Sequence, residues 1–402
     1  MEDRQRIDRI RQELATGGLD ALLCQLGPHV LMLSGYAPVL GISFALFPLR
    51  GEIGLVVPLA EESCARQGWV RDVRTYEIGA GGNTSILDSA MPVLQTLIAD
   101  RGLNGATIGY EGSAEMVPAS YTQVGFPPVR LLAACQHLFP RARFVDVAPL
   151  LDVLQAWKST REVECIRTAA EVAAMGVGAG REKVQVGNRE AAVAAAVEEV
   201  IQLAGRARGV GRVQGFAHVM SGARSALAYH PFNLTTDREI QPSDPVLVQL
   251  EVYADGYWAE VTRTFFAGEP GAEGRRIYVA CREAQSRAIQ AVRDGAAAAD
   301  VDAAAREYLT RDGFGQQVRH GLGHEVGFQV ISHLQPPRLD PRSTDTLRTG
   351  MVFNIEPGVY VHGWGGVRVN DVVVCQRDQA EILTAMIPRD LTYAIVPQRR
   401  HA

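Results

Sequence analysis

The segment 246–265 constrains the fold more than any other part of the sequence, because it predicts a β-hairpin with a polar row on one face. In its first strand apolar residues alternate with Gln249 and Glu251, so the amide and the acid share the opposite face. After a turn at 254–256, Glu260 shares one face of the second strand with two threonines. A hairpin lined in this way indicates a functional site.

Composition and charge describe a globular chain and exclude several classes of partner. The 402 residues are 47% hydrophobic, and a formal net charge of −5 offers no attraction for nucleic acid or an anionic membrane. The N-terminus is charged where a signal peptide needs an apolar core, and no apolar run approaches the ~20 residues of a membrane span. We therefore expect a cytoplasmic protein with a small-molecule substrate, and neither nucleic acid nor membrane as a partner.

The order of predicted elements divides the chain into two domains. Helical and strand-like segments alternate up to about residue 150, and a break at 158–162 interrupts a long helical stretch. Beyond the break, amphipathic helices are interleaved with strand segments. The helices are predicted at 161–180, 188–205, 273–294 and 299–312, and the strand segments at 215–220, 246–265 and 350–375. The sequence thus predicts an α/β fold of the α+β type, with domains at 1–157 and 158–402.

Two histidines flank a glycine-rich step in the segment from His320 to His324. On a helix, spacing of i and i+4 would form a metal-binding pair, but two glycines within five residues argue against a helix. The spacing alone therefore leaves the role of these histidines open.

His230 and Glu356 stand next to turn signals. Ser221-Gly222 and Pro231 place His230 in a loop, where reactive side chains are often presented, although a half-buried histidine beside Pro231 is the alternative. Glu356 precedes a Pro-Gly step, so a solvated acid at a turn is the alternative to a functional one.

Together these motifs resemble the pita-bread metallopeptidase and creatinase family, which includes aminopeptidase P, prolidase and creatinase. The hairpin is similar to the family pattern D-x-G, G-Y, S-D-x-T-R-T, and later segments are similar to H-G-x-G-H, E-P-G and G-x-R-x-E-D. Lys158, Ser159 and Glu162 match the K-S-x-x-E junction before the family's catalytic domain. The resemblance is close over 158–385, and it implies an N-terminal creatinase-like α/β domain followed by a C-terminal pita-bread domain.

The resemblance also assigns roles to residues at matching positions. Catalytic positions are occupied by His230, Glu260, His324 and Glu356, and by His333 if a two-residue insertion displaces the family's third histidine from position 331. Substrate-binding positions are occupied by Gln249, Glu251, His320, Arg368 and Asn370. His230 corresponds to the residue that transfers a proton in creatinase.

The metal ligands are where this chain departs from the family pattern. Gln249 and Asn370 stand where the family places its first metal-binding Asp and its bridging Glu. Two divalent ions about 3.5–4 Å apart repel and need bridging carboxylates, which neutral amides cannot replace. We expect at most one divalent ion (Mn, Fe, Co or Zn), held by Glu260, His324 and Glu356, and a dinuclear site is not expected. A metal-free pocket that binds a cationic substrate, as in creatinase, is the alternative.

The resemblance implies an enzyme that hydrolyses C–N bonds in a small polar or cationic substrate, and not a standard dinuclear Xaa-Pro peptidase. Glu251, an acid where the family has glycine, favours the metal-free alternative. Two other functions remain open: a non-hydrolytic biosynthetic enzyme that catalyses elimination or rearrangement, and a non-catalytic binding relative. The family also implies a homodimer whose N-terminal domain reaches a neighbour's active site.

Overall fold

The computed structural model describes residues 2–79, 82, 85–113, 128–230, 234–330 and 335–399. The chain forms two compact units, Met1–Arg161 and Glu162–Ala402. The division lies next to the break at 158–162 and close to the domain limits proposed from the sequence. Within the described ranges, no helix combines the length and the apolar character needed to cross a membrane.

The N-terminal unit is built on a mixed sheet. Its helices are Arg4–Gly17 (α1), Gly27–Ser34 (α2), Glu62–Ala65 (α3), Ile86–Asp100 (α4), Pro128–Leu138 (α5) and Ala148–Ala156 (α6). Its strands are Ala21–Cys24 (β1), Phe44–Pro48 (β2), Gly54–Pro58 (β3), Asp72–Tyr76 (β4), Thr107–Tyr110 (β5) and Arg143–Asp146 (β6). In the described part of the unit the strands pair in the order β4-β3-β2-β1-β5-β6, and β2 runs antiparallel to both neighbours.

Helix α1 follows the pattern that the sequence predicts. It buries Ile7, Ile10 and Leu14 along one face, because residues three and four apart share a side of a helix. Asp3 caps its first turn by accepting from the amide of Arg6, and Gly18, at a φ of 62°, ends it.

The C-terminal unit combines long helices with short sheets. Its helices are Thr160–Lys183 (α7), which begins at the boundary, Glu190–Ala207 (α8), Ala272–Ala291 (α9), Ala298–Arg311 (α10) and Leu391–Ala394 (α11). Its strands are Val213–Ser221 (β7), Pro245–Ala254 (β8), Tyr257–Ala267 (β9), Val352–Ile355 (β10), Gly358–Val361 (β11), Gly365–Arg368 (β12), Asp371–Cys375 (β13), Ala380–Ile382 (β14) and Ile395–Val396 (β15). They pair as β15-β9-β8-β7, β10-β13-β14 and β11-β12.

The predicted hairpin is β8–β9, joined by a two-residue turn. Asp255 and Gly256 both have positive φ, 47° and 98°, as a type I′ hairpin turn requires. On one face of β8, Val248 and Leu250 lie against Gly180 and Gly176 of α7. The opposite face is therefore left for the polar residues.

Strand β9 also carries a buried ion pair on the face away from that polar row. Arg263, opposite Val248 in the register, donates to Oδ1 of Asp371 at 2.7 Å and to the backbone oxygen of Asn370 at 2.6 Å. Both charged residues are almost fully buried. Because removing one partner would leave the other charge uncompensated, this pair fixes the start of β13 against β9.

Candidate active site

One face of the hairpin carries the polar row that the sequence predicts. Gln249 lies opposite Thr262 and Glu251 lies opposite Glu260, so all four side chains share that face. The neighbouring strand β7 places His218 opposite Gln249. Acids, an amide and an imidazole therefore lie side by side on the sheet.

The loop that carries His324 pairs with β10, and this pairing requires a glycine. The carbonyl oxygen of Leu322 accepts from the amide of Glu356 at 2.8 Å, and that of His324 accepts from the amide of Asn354 at 2.9 Å. A Cβ atom at Gly323 would overlap the carbonyl oxygen of Asn354. The glycine-rich motif is thus non-helical, as its glycines predict, and it brings His324 next to Glu356.

Three side chains converge within the C-terminal unit, and we call Glu260, His324 and Glu356 the Glu-His-Glu triad. Nε2 of His324 lies 3.2 Å from Oε2 of Glu260 and 3.8 Å from Oε1 of Glu356. All three side chains are buried, and their potential ligand atoms lie within 4.8 Å of one another. Two carboxylates and an imidazole at this spacing form a donor set that divalent transition metals accept.

Asn354 orients Glu260, and sequence reasoning missed it. Its Nδ2 donates to Oε2 of Glu260 at 2.8 Å, and the side chain is fully buried. The sequence does contain a signal for Asn354. It stands two residues before Glu356, between apolar Phe353 and Ile355, and residues two apart in a strand share a face.

The backbone determines which nitrogen of His324 faces the carboxylates. Nδ1 lies 2.9 Å from the carbonyl oxygen of Glu325, which can only accept, so Nδ1 carries a proton. Nε2 is therefore the atom turned towards Glu260 and Glu356. Burial acts to lower the pKa of His324, but the hydrogen bond to Glu260 and the charges of both glutamates outweigh burial and raise the pKa to about 9.

Arg368, at the end of β12, links the Glu-His-Glu triad to the polar row. Its Nη2 donates to Oε1 of Gln249, and its Nε lies 3.8 Å from Oε2 of Glu356. Nε donates to the hydroxyl of Thr262 at 3.3 Å, and Nη1 donates to the carbonyl oxygen of Ala228 at 3.2 Å. Burial opposes the charge, but a neighbouring tyrosine and the nearby carboxylates raise the pKa of Arg368 above its ordinary value, so the guanidinium stays charged.

Gln249 and Glu251 extend this chain of contacts to β7. Nε2 of Gln249 donates to Oε1 of Glu251 at 2.6 Å. The second carboxylate oxygen of Glu251 lies 3.2 Å from Nε2 of His218. A continuous polar path therefore runs from the half-buried His218 to Arg368. No local pattern around His218 identifies it as a site residue.

His320 is held in its neutral form beside Tyr360. Its Nδ1 lies 2.7 Å from the carbonyl oxygen of Gly321, so its Nε2 accepts from the hydroxyl of Tyr360 at 2.8 Å. Burial lowers the pKa of His320 below its usual value. Tyr360, which the sequence did not single out, is thereby oriented by a neutral imidazole.

His230 is exposed, at the end of the segment that follows β7. Its ring centroid lies 4.1 Å from that of Tyr229, which lies 5.6 Å from that of Tyr360. His230 is therefore connected to the residues around His320 through two aromatic rings. His333, the remaining predicted catalytic residue, lies outside the described residues.

A second group of possible ligands occurs in the N-terminal unit, where Cys24, His29 and Glu111 are all buried. Glu111 already accepts from the backbone amides of Gln25 and Leu26 and from Nδ1 of His29. These bonds hold the start of α2, which is a structural role for the carboxylate.

Comparison with known proteins relates both units to described families. Residues 164–377 match metallopeptidase family M24, and residues 6–155 match the creatinase/prolidase N-terminal domain. The first match alone covers more than half of the chain. The chain belongs to metallopeptidase family M24.

Individual relatives agree with this membership of M24. The chain is 28% identical over 384 residues to the Xaa-Pro dipeptidase of Pyrococcus horikoshii, covering 94% of this chain and 97% of the relative. It is 34% identical over 241 residues to the Xaa-Pro dipeptidase of Pyrococcus furiosus, covering 60% of this chain and 66% of the relative. The crystal structure of the prolidase from Pyrococcus horikoshii OT3 aligns with a TM-score of 0.75 and 26% identity, over 96% of this chain and 100% of that chain.

Membership of M24 confirms several predictions. The fold class is confirmed, with an N-terminal creatinase-like domain and a C-terminal pita-bread domain. The enzyme class, a hydrolase acting on C–N bonds, is confirmed as well. M24 is a family of metallopeptidases that use divalent metal ions.

The residues around the Glu-His-Glu triad fit a divalent ion. Asn370 forms a β-bridge with Thr262, which places its side chain on the same face as Glu260. Both polar atoms of the Asn370 side chain are buried and have no hydrogen-bond partner among the described residues. An unsatisfied buried oxygen is unfavourable, and coordination of an ion by that oxygen, next to the Glu-His-Glu triad, would satisfy it.

We predict that metal-free protein loses stability as the pH rises from about 6.5 to about 9. The pKa of His324 in the folded state, about 9, exceeds the value near 6.5 expected when unfolded, so the stabilisation is complete below about pH 6.5 and disappears through pH 9. The expected loss is on the order of 3 kcal/mol. Urea unfolding at several pH values measures it.

His324→Gln should remove this pH dependence, whereas substitution of the exposed His362 by Gln should leave it unchanged. The same pH dependence in wild type and His324→Gln would contradict the assignment.

Proposed function

We propose that this chain hydrolyses a C–N bond in a small polar or cationic substrate, with at most one divalent ion at the Glu-His-Glu triad. The relatives are named Xaa-Pro dipeptidase and prolidase, and the proposal departs from those names in substrate. The observation that carries it is the amide of Gln249, which bonds Arg368 on one side and Glu251 on the other. Gln249 is neutral and therefore supplies no negative charge for a second ion.

The balance of buried charge supports a single ion. Glu251, Glu260 and Glu356 carry three negative charges when ionised, and all are buried. Arg368 supplies one positive charge, and one divalent ion would supply the other two. A second divalent ion would leave two positive charges uncompensated by these groups in a buried region, where the electrostatic cost is high.

The side chains of the Glu-His-Glu triad are held in place by their neighbours. When bound, a divalent ion would act as a Lewis acid on the oxygen of the group under attack. Asn354 holds the carboxylate of Glu260, and the carbonyl oxygen of Glu325 fixes the ring of His324. Such support keeps ligands in one orientation and increases their affinity for the ion.

Proton transfer is assigned to histidines outside the Glu-His-Glu triad. We assign to His230 the general acid role towards the leaving nitrogen, because its imidazole is exposed and so open to substrate. His320 accepts from the hydroxyl of Tyr360 and so orients its oxygen, which can accept from a donor group of the substrate. His333 is retained as a further candidate for contact with the reacting group.

We predict that wild-type protein equilibrated with excess Mn²⁺ binds at most one ion per chain at this site. His324→Ala should abolish that binding, because it removes the only imidazole of the Glu-His-Glu triad. His362→Ala, at an exposed position, should retain it. Metal analysis after desalting gives the stoichiometry, and two tightly held ions in the wild type would exclude the one-ion site.

We predict hydrolysis of small polar or cationic amides and amidines, and negligible cleavage of Xaa-Pro dipeptides, when both are offered to the Mn²⁺-loaded enzyme. His230→Ala should reduce kcat by about 100-fold or more with little change in the unfolding midpoint, because the residue transfers a proton and is not part of the core. His362→Ala is the matched control. Efficient cleavage of Xaa-Pro dipeptides by the wild type would reject the proposed substrate class.

We also propose that the chain forms a homodimer through its N-terminal unit. Large apolar side chains are exposed there at Val39, Leu40, Leu59 and Ile78, and Gly41 lies close to Ile78, so several of them form one patch. Exposed apolar patches often mark protein interfaces.

Sedimentation at micromolar concentration should show a dimer, and Leu40→Glu with Ile78→Glu should produce monomer. A wild type that sediments as the 43.6 kDa monomer would refute the dimer.

A further inference from the structure

We propose that Glu251 determines how many metal ions the site accepts, because it fixes the amide of Gln249 and makes a carboxylate at position 249 unfavourable. Gln249 and Glu251 are then an interdependent pair, and exchange of Gln249 for an acid is not sufficient to create a second ion site. The inference rests on the proposed one-ion site and names the residue that enforces it.

The first step concerns the orientation of the Gln249 side chain. Its oxygen accepts from the guanidinium of Arg368, and its nitrogen donates to the carboxylate of Glu251 at 2.6 Å. A flipped amide would place donor against donor and acceptor against acceptor. The two neighbours therefore require a side chain with one acceptor and one donor, and glutamine provides both.

The second step concerns an acid at position 249. An ionised carboxylate has only acceptor oxygens, so an acid at this position replaces the donor that faces Glu251 with an acceptor. An isosteric glutamate would place it at hydrogen-bond distance, and an aspartate, one methylene shorter, would still direct it towards Glu251. Two buried carboxylates at that distance cannot both stay ionised without strong repulsion. The new acid would take up a proton or turn away, and in either case it would fail to serve as a ligand.

The third step is that Glu251 has no room to move aside. Its side chain is 2% exposed, and its second oxygen lies 3.2 Å from Nε2 of His218. On the next strand it faces Glu260, a member of the Glu-His-Glu triad. Glu251 thus holds the amide of Gln249 from a fixed position between β7 and β9.

The test compares three variants of the full-length protein. The double variant Gln249→Asp with Asn370→Glu supplies both acids of the family pattern but keeps Glu251. Two triple variants add either Glu251→Gly, the residue of the family pattern, or Glu251→Gln, which keeps the side-chain shape and can donate to an aspartate. Mn²⁺ binding isotherms should give no more than one ion per chain for the double variant and approach two for both triple variants.

Two ions bound by the double variant would overturn the proposal, as would folded triple variants that bind only one. The double variant combined with Glu273→Gln, a change at an exposed acid, should behave like the double variant itself. Two ions in the wild type would refute the one-ion site and this proposal together. Loss of all binding in the triple variants would contradict the proposed role of Glu251 alone.

A metal-free readout tests the coupling between positions 249 and 251 independently of ion binding. Gln249→Asp should lower the unfolding midpoint at neutral pH, and addition of Glu251→Gln should restore much of the loss, because the repelling pair is removed. Asn354→Asp, which places a new acid beside Glu260 and not beside Glu251, is the matched control, and Glu251→Gln should not rescue it. Equal midpoints for Gln249→Asp with and without Glu251→Gln would overturn the proposed coupling.

Discussion

Two buried glutamates face each other across one hairpin, and the site is arranged around that constraint. Glu251 and Glu260 are 1% and 2% exposed and lie directly opposite on β8 and β9. Buried carboxylates are tolerated only when donors or cations surround them. Such groups come from separate parts of the chain: Gln249 from the hairpin itself, His324 from a loop, and Arg368 from β12. His324 and Arg368, from the second half of the C-terminal unit, thus stabilise the buried charges of the hairpin in its first half.

Local periodicity was sufficient to predict the hairpin and the long helices. Alternation of apolar and polar residues defined β8 and β9, and amphipathic spacing placed α7 to α10 within a few residues of their observed limits. Helix α2 could not be found in this way, because the segment Gly27–Ser34 is buried almost all round and has no polar face to give a helical period. Strands β4 and β6 were missed because they carry charged residues and are only partly buried, so neither shows an apolar run.

The site was predictable as a set of residues but not as a set of contacts. Motifs identified Glu260, His324 and Glu356, which the structure brings together. They did not identify Asn354, which reaches Glu260 across 94 positions of sequence, or His218, whose partner Glu251 lies on another strand. Such pairs depend on strand register and loop path, and neither is encoded in local spacing. Compared with the family pattern, the chain has lost acids at 249 and 370 and gained one at 251, so negative charge has moved within the site as well as decreased.

The two faces of β9 have a consequence for how the enzyme is inactivated by denaturant. Its odd-numbered side carries Arg263, which is buried against Asp371, and its even-numbered side carries Glu260. The same few residues of backbone therefore hold the C-terminal unit together and support the reactive groups. Local opening of the site without loss of the core is disfavoured in such an arrangement, since no loop separates the two. Inactivation by denaturant should coincide with cooperative unfolding of this unit, and backbone amides of β9 should exchange with solvent among the slowest in the chain.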